Sequence, residues 1–192
     1  LDTGQAAYRI EDEPGGMYGL AAGALGVLVG EGGRAPRLAH VARPGAWLGH
    51  GPLMAGGRRV LGLRAMEPTV ALLVPLAALQ ALALDSAEAT RAFAVLVNAN
   101  MGLLTTAVSD LLIPRADRRI AAVLLRVAGA QGDRPTPPRA LSQADLGEMA
   151  NASRQLVNRT LLGFAARGWV ALDYRRIALL DPVELAAFAG ES

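Results

Sequence analysis

The sequence predicts an α+β protein made of an N-terminal antiparallel β-roll, one long helix, and a C-terminal bundle of short helices closed by a hairpin. Three observations carry that prediction. Residues 8–74 break into short apolar runs punctuated by glycine and proline, residues 86–113 hold one sustained helical spacing, and residues 141–181 read as two short helices followed by two short strands. The corresponding division is 1–84 for the roll, 85–113 for the long helix and 114–192 for the remainder.

In the first part, YRI, GMYGLAAGALGVLVGEGG, RLAHVARPGAWLG and RRVLGLRAMEPTVALLV follow one another at strand-length spacing. Turn signals at Asp12–Gly16, Glu31–Gly33, Arg43–Gly45 and Gly56–Gly57 separate them. Short strands between glycine turns suit a small barrel or roll better than a helical bundle. From Pro75 the pattern changes. PLAALQALALDS reads as a short helix ending near Asp85, and a longer one runs from Ser86 to Ile113. Phe93, Val97, Asn100, Leu104, Ala107 and Leu111 recur at spacings of 4, 3, 4, 3 and 4, the pattern of a helix that pairs with another along its length. These six residues are the expected dimer interface, with Asn100 fixing register.

Pro114 ends the long helix, because its ring cannot continue the hydrogen-bond ladder, and it marks the expected hinge. ADRRIAAVLLRVAG (116–129) forms a third helix with Ile120, Val123, Leu124 and Val127 on one face. AQGDRPTPPRA (130–140) reads as a connector rather than an element. Ser142 followed by Asp145 starts the next helix, which runs to about Ala150, and Ser153 caps another that ends at Arg167–Gly168. Two short helices joined by a tight turn make a helix-turn-helix, and WVAL and IALL around Asp173–Arg176 make the hairpin of a wing.

Composition narrows the function. The chain has 192 residues, 52% of them hydrophobic and 19% charged, enough for a real core. It contains no cysteine, so disulfides, thiolate zinc sites, iron–sulfur clusters and thiol nucleophiles are excluded. The apolar run 70–84 is interrupted by Pro75 and Gln80 and is too short to span a bilayer. With no signal-type leader at the start, a cytoplasmic protein without membrane association is expected. All nineteen basic residues are Arg. Residues 1–114 hold eight of them against nine acids, whereas residues 115–176 hold eleven against five. The basic excess therefore concentrates on the helix-turn-helix segment, as a nucleic-acid surface requires.

At 100° per residue, Val157, Leu161 and Phe164 share the inner face of the second helix, while Gln155, Asn158, Arg159 and Leu162 point the other way. Arg donates twice to guanine O6 and N7, and Gln or Asn pairs with adenine N6 and N7. Ser153, Arg154, Gln155, Asn158 and Arg159 are the expected DNA contacts, with Arg175 and Arg176 of the wing on phosphates.

The order of a glycine-punctuated roll, a long helix and a winged helix resembles the Crp/Fnr family of bacterial transcription regulators from about Tyr8 to Pro182. PGGMYGLAAGALGV (14–27) is similar to an early strand pair of that family's cyclic-nucleotide-binding-like roll. PGAWLGHGPLMAGGRRVLGLRA (44–65) is similar to its phosphate-binding cassette, and SRQLVNRTL (153–161) to its recognition helix. The resemblance implies that Arg154, Gln155 and Arg159 read bases, with Gln155 where the family commonly has Glu. It implies effector contacts at Gly49, His50, Arg58, Arg59, Thr105 and Thr106.

The sensor half departs from the family. Gly49-His50 stands where cyclic-nucleotide binders have Gly-Glu, and Arg59-Val60 where they have Arg-Ser. Arg59 could hold an anion, but neutral His50 does not replace a carboxylate and Val60 offers no hydroxyl. Weak or absent cyclic AMP binding is expected. Calorimetry showing micromolar binding that Arg59→Ala abolishes would contradict it.

The function expected is a homodimeric, sequence-specific regulator on a palindromic operator, with a small-molecule effector other than cyclic AMP. Expected partners are double-stranded DNA, a second copy of the chain and RNA polymerase. Two other readings compete: a constitutive DNA binder with a degenerate roll, and a cupin-like metal enzyme. The enzyme needs clustered His and carboxylates, but there are only two histidines, His40 and His50, ten residues apart. Haem held through His40 or His50 is a further option, but two histidines in strand-like segments more often serve the structure. No G-x-S-x-G or Ser/His/Asp set is present, so no catalytic residue and no metal ligand is assigned.

Overall fold

A computed structural model of the chain describes residues 1–30, 34–129 and 133–190, without the Met54 side chain. Two compact units divide it, Leu1–Thr105 and Thr106–Ser192, and the boundary falls inside the long helix.

The first unit is the roll. Strands β1 (Ala6–Tyr8), β2 (Gly16–Ala22), β3 (Leu25–Val29), β4 (Arg37–Ala42) and β5 (Trp47–Leu48) lead into a short helix, α1 (Gly51–Ala55). Strands β6 (Gly62–Ala65) and β7 (Val70–Pro75) follow, then helices α2 (Leu76–Asp85) and α3 (Ala87–Leu111). One antiparallel sheet has the order β1-β6-β3-β4 and the other β5-β2-β7. Tyr8, Leu20, Leu25, Val27, Leu48 and Leu63 form the core between them. The turn from β2 to β3 depends on Gly23, whose φ is +84° and where a Cβ would lie 2.4 Å from the Pro68 carbonyl oxygen. Only glycine adopts that backbone so close to another chain segment at no steric cost. The buried Thr69 hydroxyl accepts from the Ala24 N–H at 3.2 Å and donates to the Glu67 carbonyl at 2.7 Å, holding the same turn.

Helix α1 is the first departure from the sequence reading, which treats the cassette as strand and turn. Pro52 at its start supplies a fixed φ suited to a first turn, and the five residues are too few to show a helical period.

The second unit contains α4 (Ala116–Ala128), β8 (Arg139–Ala140), α5 (Gln143–Met149), α6 (Arg154–Ala166), β9 (Val170–Asp173), β10 (Arg176–Leu179) and α7 (Pro182–Gly190). Its sheet runs β8-β10-β9, all antiparallel. The segment expected to be only a connector therefore contributes a strand, with Arg139 and Ala140 pairing to Ile177 and Arg176. Residues 130–132 of that connector lie outside the described residues.

Helix α7 is absent from the sequence reading. Asp181 caps it by accepting the Glu184 N–H at 3.0 Å, and Leu185 is fully buried. Its Phe188 joins Phe164 and Trp169 in a ring cluster with centroids 5.5–5.7 Å apart. Ile120, Val123 and Leu124 of α4 are buried as their spacing predicts.

Ser142 and Asp145 form a complete reciprocal capping box, stronger than the sequence pattern alone promises. Ser142→Ala should cost about 1 kcal/mol of unfolding free energy in a denaturant titration, because the Asp145 N–H loses its acceptor. Between α5 and α6, Asn151 adopts φ +47°, a left-handed conformation that Asn tolerates well. Arg119 of α4 holds this turn. Its Nε donates to the Ala150 carbonyl at 2.6 Å, and its Nη1 donates to the Ile113 carbonyl, also at 2.6 Å. One guanidinium thus ties the chain at the end of the long helix to the turn of the helix-turn-helix. Nearby, Arg126 Nε donates to Asp110 Oδ2 at 2.6 Å, with only 5% and 10% of the two side chains exposed.

Candidate nucleic-acid interface and roll cavity

Helix α6 has the two faces that its sequence predicts. Val157 and Leu161 are fully buried and Phe164 is 2% exposed. Arg154, Gln155, Asn158, Arg159 and Leu162 are exposed. Ser153 Oγ accepts the Leu156 N–H at 3.2 Å, so its own O–H remains available as a donor. Asn158 is not independent. Its Nδ2 donates to Gln143 Oε1 at 3.2 Å, joining the outer faces of α5 and α6. Sequence reasoning missed Gln143, although its place at the start of α5 is legible from the Ser142 cap.

Two clefts flank α6. One, of about 640 Å³, is lined by Gln143, Arg154, Asn158 and the wing residues Asp173–Arg176. The other, of about 460 Å³, is lined by Arg115, Asp117, Arg159, Arg167 and Phe188. Arg154 and Arg159 thus border different clefts at the two edges of the same exposed face. Arg115 and Arg167 are cations that the sequence reading did not select. Asp117 accepts from Arg115, and this pairing holds its carboxyl below the usual carboxylate range. Arg167 lies over the Trp169 ring at 4.8 Å.

At the wing, Arg175 has φ +55° and its carbonyl accepts the Leu141 N–H at 3.0 Å, fixing the turn to the start of the helix-turn-helix. Arg175 and Arg176 are exposed, as a phosphate contact requires. Tyr174 between the strands is 85% exposed, a second residue that sequence reasoning passed over. Cations, amides and an amphipathic ring on one side of a capped helix form a donor-rich surface that matches base edges and phosphates.

The roll encloses a cavity of about 250 Å³ against α3. Gly49, His50 and Arg59 line it, but Arg58, Thr105 and Thr106 do not. Arg58 instead turns outward, donating to the Glu11 carbonyl at 2.8 Å and pairing with Glu13 at 2.8 Å. The Thr105 hydroxyl donates back to the Met101 carbonyl at 3.0 Å, the local bond that Thr makes within a helix. His40 and His50 both line the cavity. Among the described residues no three His, Asp or Glu come together as a metal-holding group.

Arg59 is 2% exposed and is built into the wall. Its Nη1 donates to the Gly49 carbonyl at 2.8 Å, its Nη2 to the Gly16 carbonyl at 2.6 Å, and its guanidinium lies 4.1 Å from the Tyr8 ring centroid. Burial pushes the Tyr8 phenol up to about 12, against the opposing pull of Arg59. Gly49 is required for this approach, since a Cβ there would meet Arg59 Nη1 at 2.7 Å.

Asn100 turns toward the same unit. Its Nδ2 donates to the Trp47 carbonyl at 3.2 Å and lies 3.2 Å from His50 Nδ1. Only an amide N–H₂ satisfies the carbonyl, so His50 Nδ1 is an acceptor and the imidazole proton sits on Nε2. Burial lowers the His50 pKa, favouring that neutral form.

The α3 stripe divides accordingly. Phe93, Val97, Asn100 and Ala107 are partly covered within the chain, whereas Leu104 and Leu111 are 39% and 48% exposed. An outer stripe offset from the expected one runs Ala94, Val97, Met101, Leu104, Val108, Leu111 at spacings of 3, 4, 3, 4 and 3. Met101 and Val108 on it are 58% and 59% exposed. By length and composition α3 would also cross a bilayer, with mean hydropathy 1.5 and 6% of its most apolar window buried.

A family model described as a Crp-like helix-turn-helix domain matches residues 118–188, and one described as a cyclic nucleotide-binding domain matches residues 1–86. Over 82 residues the chain is 33% identical to the CRP-like cAMP-activated global transcriptional regulator of Mycobacterium tuberculosis, covering 41% of this chain and 37% of that protein. The match thus spans little more than a third of the curated relative. FixK2 from Bradyrhizobium japonicum has a structure similar to this one, with TM-score 0.84 and 19% identity over 100% of this chain and 96% of that one. A CRP-family transcriptional regulator from Thermus thermophilus gives TM-score 0.78 and 22% identity over the same shares. At these identities the structural likenesses speak for the fold.

Proposed function

Because the chain belongs to the Crp/Fnr family of transcription regulators, with its DNA-binding helix-turn-helix, we propose that it is a sequence-specific homodimer whose roll houses a regulatory ligand other than cyclic AMP. In this reading residues 1–84 sense, 85–113 dimerise and 114–192 bind DNA. Each copy lays α6 in the major groove of one half of a two-fold related operator, N-terminal residues first. One observation carries the proposal: Arg154, Gln155 and Arg159 stand exposed on a helix whose opposite face is fully buried. Ser153, Arg175 and Arg176 supply phosphate contacts, and Asn158, held by Gln143, borders the reading face.

Arg154→Ala and Arg159→Ala should each cost about 1–3 kcal/mol on a cognate site, measured by equilibrium DNA binding at fixed salt. An equal loss on random DNA would mean phosphate contact without base readout.

The outer stripe of α3 supports the dimer better than the one centred on Asn100. It is apolar at every position, whereas the Asn100 amide is occupied by Trp47 and His50. A second copy, rather than lipid, covers it in this reading, because Asn98, Asn100 and Asp110 also belong to the helix. No catalytic role is assigned to any residue.

A second reading keeps one specific support. Two N–H groups of Arg59 are already taken by roll carbonyls, as in a sensor that has become purely structural. A constitutive binder of that kind shows full cognate-site affinity with no ligand added and no response to any.

A further inference from the structure

Asn158 is exposed on the outer face of α6, yet its amide is not free to turn. Its Nδ2 donates to Gln143 Oε1, 3.2 Å away on the other helix of the pair. Gln143 is half-buried at the first position of α5, directly after the Ser142 cap. The capping box fixes that turn, since the Asp145 N–H donates to Ser142 Oγ at 3.1 Å and the Ser142 N–H to Asp145 Oδ2 at 3.0 Å. The path from α5 to α6 is fixed as well. The Ala152 N–H donates to the Gly147 carbonyl at 2.9 Å, and Arg119 holds the Ala150 carbonyl at 2.6 Å. The backbone that carries the Gln143 acceptor is therefore held firmly against α6.

An Asn amide has two donors on nitrogen and an acceptor on oxygen, so what it recognises depends on how it is turned. With Nδ2 turned toward α5, Oδ1 lies on the side away from α5 and one Nδ2 proton is spent. The uncommitted groups are Oδ1 and the second Nδ2 proton. They are the acceptor and donor that adenine N6–H and N7 require. Guanine presents two acceptors, O6 and N7. A single free proton does not serve both, and Oδ1 would face one of them unpaired. Asn158 also shares a cleft wall with Arg154, one helical turn before it, which puts it on the edge of the reading face nearest the wing.

We propose that Gln143 is a positioning residue for base readout: by accepting from Asn158 Nδ2 it locks that amide in the orientation that takes adenine and rejects guanine. The proposal rests on reading α6 as the base-reading helix, and it places one determinant of its specificity on α5.

Selection from random DNA with the full chain, and with Asn158→Ala, locates the symmetric pair of positions that Asn158 reads as the pair that loses its preference. Adenine is expected there. Equilibrium binding to operators carrying A or G at that position in one half-site then gives a discrimination ratio. Gln143→Met keeps the length but offers no acceptor, and it should lower the ratio about three- to tenfold, the net worth of one hydrogen bond, with preference elsewhere intact. Gln143→Ala removes the same acceptor should Gln143→Met not fold. Gln143→Glu keeps the acceptor, so the ratio should survive while affinity for every sequence falls, because a new negative charge faces the phosphates. In an Asn158→Ala background Gln143→Met should change the ratio no further. Guanine at the Asn158 position, a motif unchanged by Asn158→Ala, a ratio unchanged by Gln143→Met, a ratio lost in Gln143→Glu, or a loss spread evenly over all positions would each overturn the proposal. A wild-type pool without any motif removes base readout by α6 as a whole, whereas a clear motif indifferent to Gln143 leaves that readout standing and removes only the lock.

Discussion

Asp110→Ala should lower the unfolding free energy of the second unit by about 3–5 kcal/mol, the loss expected when one member of a buried ion pair is removed. Arg126 Nε meets the Asp110 carboxylate at 2.6 Å, and the two side chains are 5% and 10% exposed. Removing the acid leaves a desolvated guanidinium without its strongest partner. The loss is comparable to the whole stability of a small domain, so the variant should be largely unfolded at modest denaturant concentration. Asp110→Leu combined with Arg126→Met should recover most of the loss, because two apolar groups of similar volume remove the charge problem altogether. Chemical denaturation followed by circular dichroism separates the two outcomes. If the double variant is no more stable than Asp110→Ala, the ion pair is not what the single change disturbs.

If the proposed dimer forms on the outer stripe of α3, Val108→Glu should convert it to monomer while leaving both units folded. Val108 is 59% exposed and lies on the outer stripe between Leu104 and Leu111. Covering such a side chain contributes about 1.5–3 kcal/mol per copy, and two-fold symmetry makes every change act twice. The combined loss corresponds to a dissociation constant raised at least about a hundredfold, before the cost of burying two carboxylates is added. Sedimentation velocity over a concentration series reads this directly. Asn100→Leu is the matching control. If Asn100 sat in the seam, the change would alter oligomeric state, whereas here it should loosen only its contacts with Trp47 and His50.

These two helices show what a sequence does and does not carry. The angular division of α6 was legible because a single short helix with a capping Ser153 allows only one register for Val157, Leu161 and Phe164. Helix α3 is apolar on more than one side, so the 4-3 spacing through Asn100 and the one through Met101 and Val108 coexist. Periodicity finds a stripe but does not say what covers it. Only the long-range bonds from Asn100 to the cassette distinguish the two.

The cassette shows the same limit. Arg59 was identifiable as a cation in the right place, yet its two carbonyl partners come from Gly16 and Gly49, 43 and 10 residues away. No local pattern encodes such contacts. Arg58 beside it, equally charged, turns away to Glu13. Helix α7 is a different case. Asp181 followed by Pro182 and Glu184 is a legible helix start, but VELAAFAG has no polar face against which an amphipathic period would show.

The central claim is that α6 reads bases, and Gln155 tests it most directly. Selecting bound sequences from a random DNA pool should recover two inverted half-sites with centres about one helical turn apart. The same selection with Gln155→Glu should change the preferred base at one symmetric pair of positions and leave the others intact, because a carboxylate accepts from cytosine N4 whereas an amide also donates. A pool without two-fold symmetry, or an identical motif from both proteins, would contradict the account.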